Sequence, residues 1–260
     1  MILMKFSVII PAHNEDKIIE RTIKTVVKGL KNYNYEIIAV DDNSNDSTGR
    51  ILDSLSKKYK NLKAVHKVSQ KVGPTGLGSA LTFGFSHATT QILIPFMGDL
   101  SDDPRDIPKL VEKIEEGYDV VCGSRFTEKV SITDYPPVKM FVNRLWNNAF
   151  AFLFGLRIKD ISNAFKAYRA LVVKKTKPKS KGFEITAEIT LKARIAGYKI
   201  TEVPVSWSGR KREEGESKFG SFSFKFVFSK LPVIGYRYGK LALSLWMGFL
   251  SERIRRLVKF

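Results

Sequence analysis

Cysteine is nearly missing from this chain of 260 residues: Cys122 stands alone. One thiol excludes an internal disulfide and fits a reducing compartment. Inside Val120-Val121-Cys122 it reads as a small buried hydrophobe. Histidine is scarce as well, and His13, His66 and His87 have no metal-ligand spacing. No Ser/His/Asp arrangement is legible. No apolar run reaches the roughly 18 residues needed to span a bilayer. Only Met1 to Met4 precede Lys5 and a strand pattern, so no secretory signal is expected. Internal repeats are missing too. Negative charge is also in short supply: 26 acidic residues face 44 basic ones, a formal net charge of +18. The partner is therefore expected to be anionic, although charge alone does not choose between nucleic acid, a phosphorylated substrate and a membrane surface.

What is present is an ordinary globular composition, 43% hydrophobic and 27% charged, on a chain long enough to bury a full core. Phe6 to Ile10 reads as a buried strand ending at Pro11-Ala12-His13-Asn14-Glu15, followed by a helix with Ile19, Ile23, Val26, Val27 and Leu30 on one face. Glu36 to Val40 is a second strand, ending in Asp41-Asp42, and a helix with Ile51, Leu52, Leu55 and Tyr59 inward follows it. Leu62 to Val65 is a third strand. Gly73 to Gly78 opens a helix through Ala88, and the run Ile92 to Met97 leads into Gly98-Asp99-Leu100-Ser101-Asp102-Asp103-Pro104. A helix over Pro104 to Gly117 and a strand over Asp119 to Gly123 come next. Strands alternating with helices predict an α/β fold with a mostly parallel sheet. Further on, helices are expected over Pro136 to Gly155 and Glu184 to Gly197, and a strand over Lys199 to Ser206.

The acids after Met97 organise this pattern. Ligands of open α/β sheets bind beyond the carboxyl ends of strands, where Asp99, Asp102 and Asp103 would collect. Hard divalent cations take oxygen ligands, and magnesium commonly uses one or two carboxylates plus substrate phosphates. Helix capping would account for a single Asp but not for three with a second acidic pair, Asp41-Asp42, at another strand end. Gly76-x-Gly78 lacks dinucleotide-fingerprint spacing. It is either a turn opening a helix or a place where backbone approaches a diphosphate or base. Arg125, in Gly123-Ser124-Arg125-Phe126, lies past another strand end, where a guanidinium suits phosphate. From Lys218 to the end, nine basic residues accompany one acid, Glu252, among aromatic and aliphatic residues. That composition suits segments lying in a membrane interface, or a tail packed on the domain with solvated charges.

The order of these pieces carries more than any one of them. Pro11-Ala12-His13-Asn14-Glu15, Val40-Asp41-Asp42-x-Ser44, Gly76-Leu77-Gly78-x-Ala80, the acidic strand end, Gly123-Ser124-Arg125-Phe126 and Gly215-Glu216-Ser217-Lys218-Phe219 together resemble family 2 glycosyltransferases of the GT-A fold. Asn163 to Tyr168 and Gly182-Phe183-Glu184 add to the likeness, which covers about residues 5 to 220. Within the family it is similar to the polyprenyl-phosphate sugar transferases of the dolichol-phosphate mannose synthase type.

The resemblance implies a glycosyltransferase domain over 1–218 and a basic, amphipathic segment over 219–260 associated with the membrane interface. It implies that Pro11, His13, Glu15, Val40 and Asp42 hold the nucleoside, with Ser44 and Gly76 on the same donor side. His13 stands where the family usually has Tyr. Asp99 would be the second acid of an Asp-x-Asp metal motif whose first acid is replaced by Met97, with Asp102 compensating and Ser101 at a metal or phosphate contact. Arg125, Arg144, Arg212, Ser217 and Lys218 would face the diphosphate and the acceptor phosphate. The implied reaction is transfer of a hexose, with inversion, from a nucleotide-diphosphate sugar of the GDP-mannose or UDP-glucose type to a polyprenyl phosphate, with Mg or Mn as cofactor. A phosphate acceptor needs no strong general base; for a hydroxyl acceptor Asp102, Asp103 or Glu184 would have to serve. The expected setting is peripheral, on the cytoplasmic face of an anionic membrane. Three alternatives stay open: a hydroxyl-acceptor transferase, a non-catalytic nucleotide-sugar binder and a nucleic-acid binder. The carboxylates at strand ends argue against nucleic acid as a partner.

Overall fold

Phe6, Val8, Ile10 and Ala12 turn to one side of the first strand, β1 (Phe6–Ala12), and Ile9 turns to the other; all are buried. A strand covered on both faces needs helices above and below it. The computed structural model, which describes residues 3–67, 75–127, 132–209 and 231–258, supplies them. In chain order come α1 (Ile19–Gly29), β2 (Tyr35–Asp41), α2 (Thr48–Lys58), β3 (Leu62–His66), α3 (Leu77–His87) and β4 (Ile92–Pro95). A 3₁₀ turn (Pro104–Asp106) leads into α4 (Ile107–Glu115), β5 (Val120–Ser124), β6 (Ile132–Thr133), α5 (Pro137–Phe154), β7 (Lys166–Arg169) and α6 (Ala170–Thr176). The described chain ends with α7 (Ile185–Ile195), β8 (Ile200–Pro204), β9 (Trp207–Ser208) and α8 (Leu231–Val258).

Seven strands form one sheet in the order β3-β2-β1-β4-β7-β5-β8, in which only β7 runs against its neighbours; β6 and β9 pair separately. The expected mostly parallel α/β fold is therefore what the chain adopts. The order reverses at β1, which pairs with β2 on one side and β4 on the other. That switch point is where an open sheet leaves a crevice. The carboxyl ends of β1, β2, β4 and β5 bring residues 12–15, 41–44, 96–103 and 124–126 to one edge. On one face, Ile19, Ile23, Val26, Leu52, Leu55, Ile107 and Leu110 pack on the sheet; on the other lie Leu81, Phe85, Phe154 and Ile189.

Periodicity did not show β7. Its first residue, Lys166, is wholly buried and donates from Nζ to Ile161 O at 2.7 Å, Thr186 O at 3.0 Å and Thr190 Oγ1 at 2.8 Å. Burial pulls this ammonium below its ordinary pKa. A charged residue inside a short strand hides the strand from any apolar pattern. Part of the C-terminal tail packs on the domain, the second of the two arrangements its composition suits. Along α8, Ala242 is buried, and Tyr238, Leu241, Leu245, Trp246 and Phe249 pack on the core beside α5 and α7.

Helix α3 sits hard against the sheet at Gly84, where a Cβ would stand 2.5 Å from Ile9 Cγ2 and 2.9 Å from Val40 Cγ2. Gly84→Ala is expected to cost about 1–3 kcal/mol through overpacking. Each kcal/mol lowers the thermal midpoint by roughly 2–4 °C in a domain of this size, which calorimetry reads directly.

Candidate active site

Two turns meet at the β1–β2 corner. Asn14 and Asn43 adopt the left-handed backbone, with φ of 55° and 59°, a conformation Asn tolerates. Asn14 N donates to Ser44 Oγ at 3.0 Å, and Asn45 N donates back to Asn14 Oδ1 at 2.8 Å. Glu15 N donates to Thr48 Oγ1. His13 Nδ1 lies 2.8 Å from Asp42 O, so it is the ring nitrogen that carries the proton there. Asp42 is buried. Its Oδ1 accepts from Lys67 Nζ at 2.8 Å and its Oδ2 from Gly76 N at 2.7 Å. Lys67 was invisible to motif reading, because a lone Lys after a short strand carries no signal until the parallel register places it beside Asp42.

The structure thus brings Pro11, His13, Glu15, Asp42, Ser44 and Gly76 to one corner. Val40 is different: its side chain is wholly buried under α3, so only its backbone faces the edge. The glycine turn is also not an open cradle. Gly78 N donates to Lys181 O at 2.9 Å, and Cβ atoms at Gly76 and Gly78 would meet Lys181 O at 2.5 Å and Ser180 O at 2.3 Å. The close backbone approach these glycines permit is to residues 180–182 of the chain itself.

The loop after β4 sorts its acids. Thr22 Oγ1 donates to Gly98 O at 2.7 Å, Ser101 N to Asp99 Oδ1 at 3.1 Å and Ser208 N to Ser101 O at 2.9 Å. Asp103 caps the 3₁₀ turn through Arg105 N and pairs with the Arg105 side chain. Although burial opposes it, those bonds hold Asp103 below the ordinary carboxylate range. Asp106 is taken by Ser206 N at 2.8 Å and by Lys109. Asp99 and Asp102 remain. Asp102 is buried, bridged to Trp207 through the backbone, and its Oδ1 has no hydrogen-bond partner among the described residues. Burial first, and then the charge of Asp99, push its pKa up to about 8 against the pull of Arg125. A buried orphan oxygen beside a second carboxylate suits a divalent cation.

A family model described as glycosyl transferase family 2 matches residues 7–176. The chain belongs to glycosyl transferase family 2. A dolichol-phosphate mannosyltransferase of Pyrococcus furiosus is 34% identical over 259 residues, 99% of this chain and 67% of that relative. A polyprenol monophosphomannose synthase of Mycolicibacterium smegmatis is 28% identical over 236 residues, covering 88% and 86%. Among solved structures, a glucosyl-3-phosphoglycerate synthase of Mycobacterium tuberculosis, in complex with Mn2+, uridine diphosphate and phosphoglyceric acid, superposes with a TM-score of 0.70 at 18% identity. It covers 94% of this chain and 78% of its own, and at that identity the likeness is one of fold.

In this glycosyltransferase Arg125 does not stand free toward the crevice. Its guanidinium is buried and bidentate on Asp160, Nε to Oδ2 at 2.7 Å and Nη2 to Oδ1 at 3.0 Å, while its backbone N reaches the same carboxylate. Ser162, Asn147 and Asn163 complete the network around Asp160. Burial would lower the pKa of Arg125, but the Asp160 charge outweighs it and the net shift is upward. The expectation that this side chain meets the diphosphate thus gives way to one edge committed to a protein carboxylate, with the guanidinium 5.4 Å from the Phe126 ring centroid. Arg144, exposed on α5, approaches the same ring at 5.9 Å. Tyr135 packs edge-on to Phe126 and Trp207 and joins this wall to the Asp102 loop. Arg212, Ser217 and Lys218 lie outside the described residues. No cluster of three or more His, Cys, Asp or Glu residues arranged for a metal occurs among the described residues.

Without metal, folded Asp102 keeps its proton up to about pH 8, whereas unfolded Asp releases it near 3.9. The folded state then binds more protons between those values, so this group erodes stability as pH rises through the window, by up to about 1.4 kcal/mol per pH unit. Asp102→Asn in EDTA is expected to flatten the pH dependence. Its thermal midpoint should exceed that of the parent at pH 8 and converge with it near pH 4.

Proposed function

We propose that this glycosyltransferase moves a hexose from a nucleotide-diphosphate sugar to a polyprenyl phosphate, with inversion at the anomeric carbon. The observation that carries the reading is the 34% identity, along nearly the whole chain, to a protein named for that acceptor class. The site's chemistry agrees with it. The bond between the anomeric carbon and the diphosphate breaks as an acceptor phosphate oxygen bonds to the opposite face. Asp99 and Asp102, with Ser101, would hold a divalent cation, which when bound supplies positive charge to the leaving diphosphate. Asp42, His13 and the Asn14–Ser44 turns hold the nucleoside end. The Arg125–Asp160 pair fixes the wall on which Phe126 and Arg144 are presented. An acceptor phosphate is mostly ionised near neutral pH, so no base is needed. That agrees with an Asp103 already spent on Arg105.

No helix among the described residues is long and apolar enough to cross a membrane. One exposed face suits contact with the acceptor lipid. Val138, Phe141, Leu145 and Phe152 follow helical spacing along α5 and are exposed, Phe152 at 87%. Leu243 and Met247 extend the apolar surface on α8, near exposed Arg144, Arg237 and Lys240. Apolar side chains ringed by cations fit an anionic membrane surface, where each Lys or Arg adds about 1 kcal/mol.

With polyprenyl phosphate in vesicles and a panel of nucleotide sugars, product is expected with manganese or magnesium and not with EDTA. Asp99→Ala should lower turnover by on the order of 10²-fold or more. Donor binding without transfer to the phosphate would overturn the reading, and transfer to a soluble hydroxyl acceptor would replace it. Separately, Phe141→Asp with Phe152→Asp is expected to abolish sedimentation with anionic vesicles while the thermal midpoint stays within about 1 °C, as for surface changes. Undiminished sedimentation would move the membrane face elsewhere.

A further inference from the structure

Two consecutive acids meet two consecutive bases beside the nucleoside corner. β2 and β3 run parallel with Asp41 opposite His66, and Lys67 N donates to Asp41 O at 2.8 Å. Asp41-Asp42 therefore faces His66-Lys67. Lys67 neutralises Asp42, as described. His66 stands between two carboxylates: Nδ1 is 3.1 Å from Asp41 Oδ2, and Nε2 is 3.0 Å from Asp53 Oδ1 on α2. A neutral imidazole carries one N–H, so only the imidazolium can donate to both. Asp41 Oδ1 in turn accepts from Ser44 N at 3.0 Å, and Ser44 Oγ accepts from Asn14 N. The ring thus anchors the chain of bonds that shapes both turns of the donor corner. Gly49 lets the first turn of α2 lie on this pair: a Cβ there would be 2.8 Å from Asp41 Oδ2 and 3.5 Å from His66 Nδ1.

We propose that His66, held as an imidazolium between Asp41 and Asp53, is a positioning residue that sets the shape of the nucleoside-binding turn, so that donor affinity falls as His66 loses its proton. This rests on the donor-corner reading above. The charged groups facing the ring are Asp41 from β2 and Asp53 from α2, with the Lys67–Asp42 pair alongside. Burial lowers the pKa of His66, but the bonds from Asp41 and Asp53 raise it further, and the net position is above 6.5. The clamp therefore contributes fully below the unfolded value and is lost as pH rises through the folded one.

The test is binding of UDP and of GDP, each with magnesium, from pH 5.5 to 9, in the parent chain, His66→Gln and Gly49→Ala. The ring titration of His66 by NMR and amide exchange of residues 41–46 are measured alongside, without nucleotide. Expected is parent affinity that drops on the order of tenfold as the ring deprotonates, with exchange at 41–46 rising over the same range. His66→Gln should bind weakly with a flat profile, and Gly49→Ala should shift the ring pKa downward. A His66→Gln profile matching the parent, a ring pKa at or below 6.5, or exchange at 41–46 indifferent to pH would overturn the proposal. If neither nucleotide binds the parent at any pH, the donor-corner reading falls, while the ring titration and the exchange still decide whether the clamp exists.

Discussion

Negative charge gathered at the carboxyl edge of the sheet has to be neutralised, and each acid's partner decides what that acid can do. Asp42 has Lys67, Asp41 has His66, Asp160 has Arg125, Asp103 has Arg105 and Asp106 has Lys109. Asp102 keeps its proton beside the charge of Asp99, and its Oδ1 has no hydrogen-bond partner among the described residues. Ionising a buried acid beside a half-buried carboxylate is costly. That cost is relieved by bringing in positive charge, which is why the proposed cation is placed there. The Asp42–Lys67 and Asp160–Arg125 pairs are buried on both sides, so removing either partner would strand a buried charge.

The rest of the fold holds this edge still. β1 and β4 are buried on both faces, so the loops leaving them cannot shift without moving the core. Thr22 Oγ1 on Gly98 O ties the acidic loop to α1, and Ser208 N on Ser101 O ties it to β9. Lys166 bonds β7 to α7 and so connects the sheet's one reversed strand to the helix that follows Glu184. The apolar surface on α5 belongs to the same helix that presents Arg144 beside Phe126. The proposed lipid contact and the proposed phosphate side of the crevice therefore share one helix.

The alternation of apolar strands with amphipathic helices was enough to read a parallel α/β sheet, because each short strand pairs with neighbours whose pattern repeats nearby in the chain. The ordered motifs from Pro11 to Arg125 were enough to read the family. They sit at strand ends, where local sequence already says that a buried run stops and polar residues begin. The meeting of His13, Asp42 and Ser44 at one corner was legible for the same reason: they follow β1 and β2 directly.

The partners of those residues were not legible, because partnership between distant segments is set by register and packing. Lys67, 25 residues from Asp42, meets it through the β2–β3 register, and Asp160 reaches Arg125 across 35 residues through the packing of β5. Gly76 and Gly78 read equally well as a ligand cradle until residues 180–182 were found lying on them. Three acids in one loop looked alike until capping claimed Asp103 and burial singled out Asp102. What the chain by itself determined is the fold class, the family and which polar residues stand at the strand ends, all of which follow from local pattern. Only the tertiary structure decided which charges are spent and which are left, since a charge is neutralised by whatever lies within a few ångströms of it, however far away along the chain.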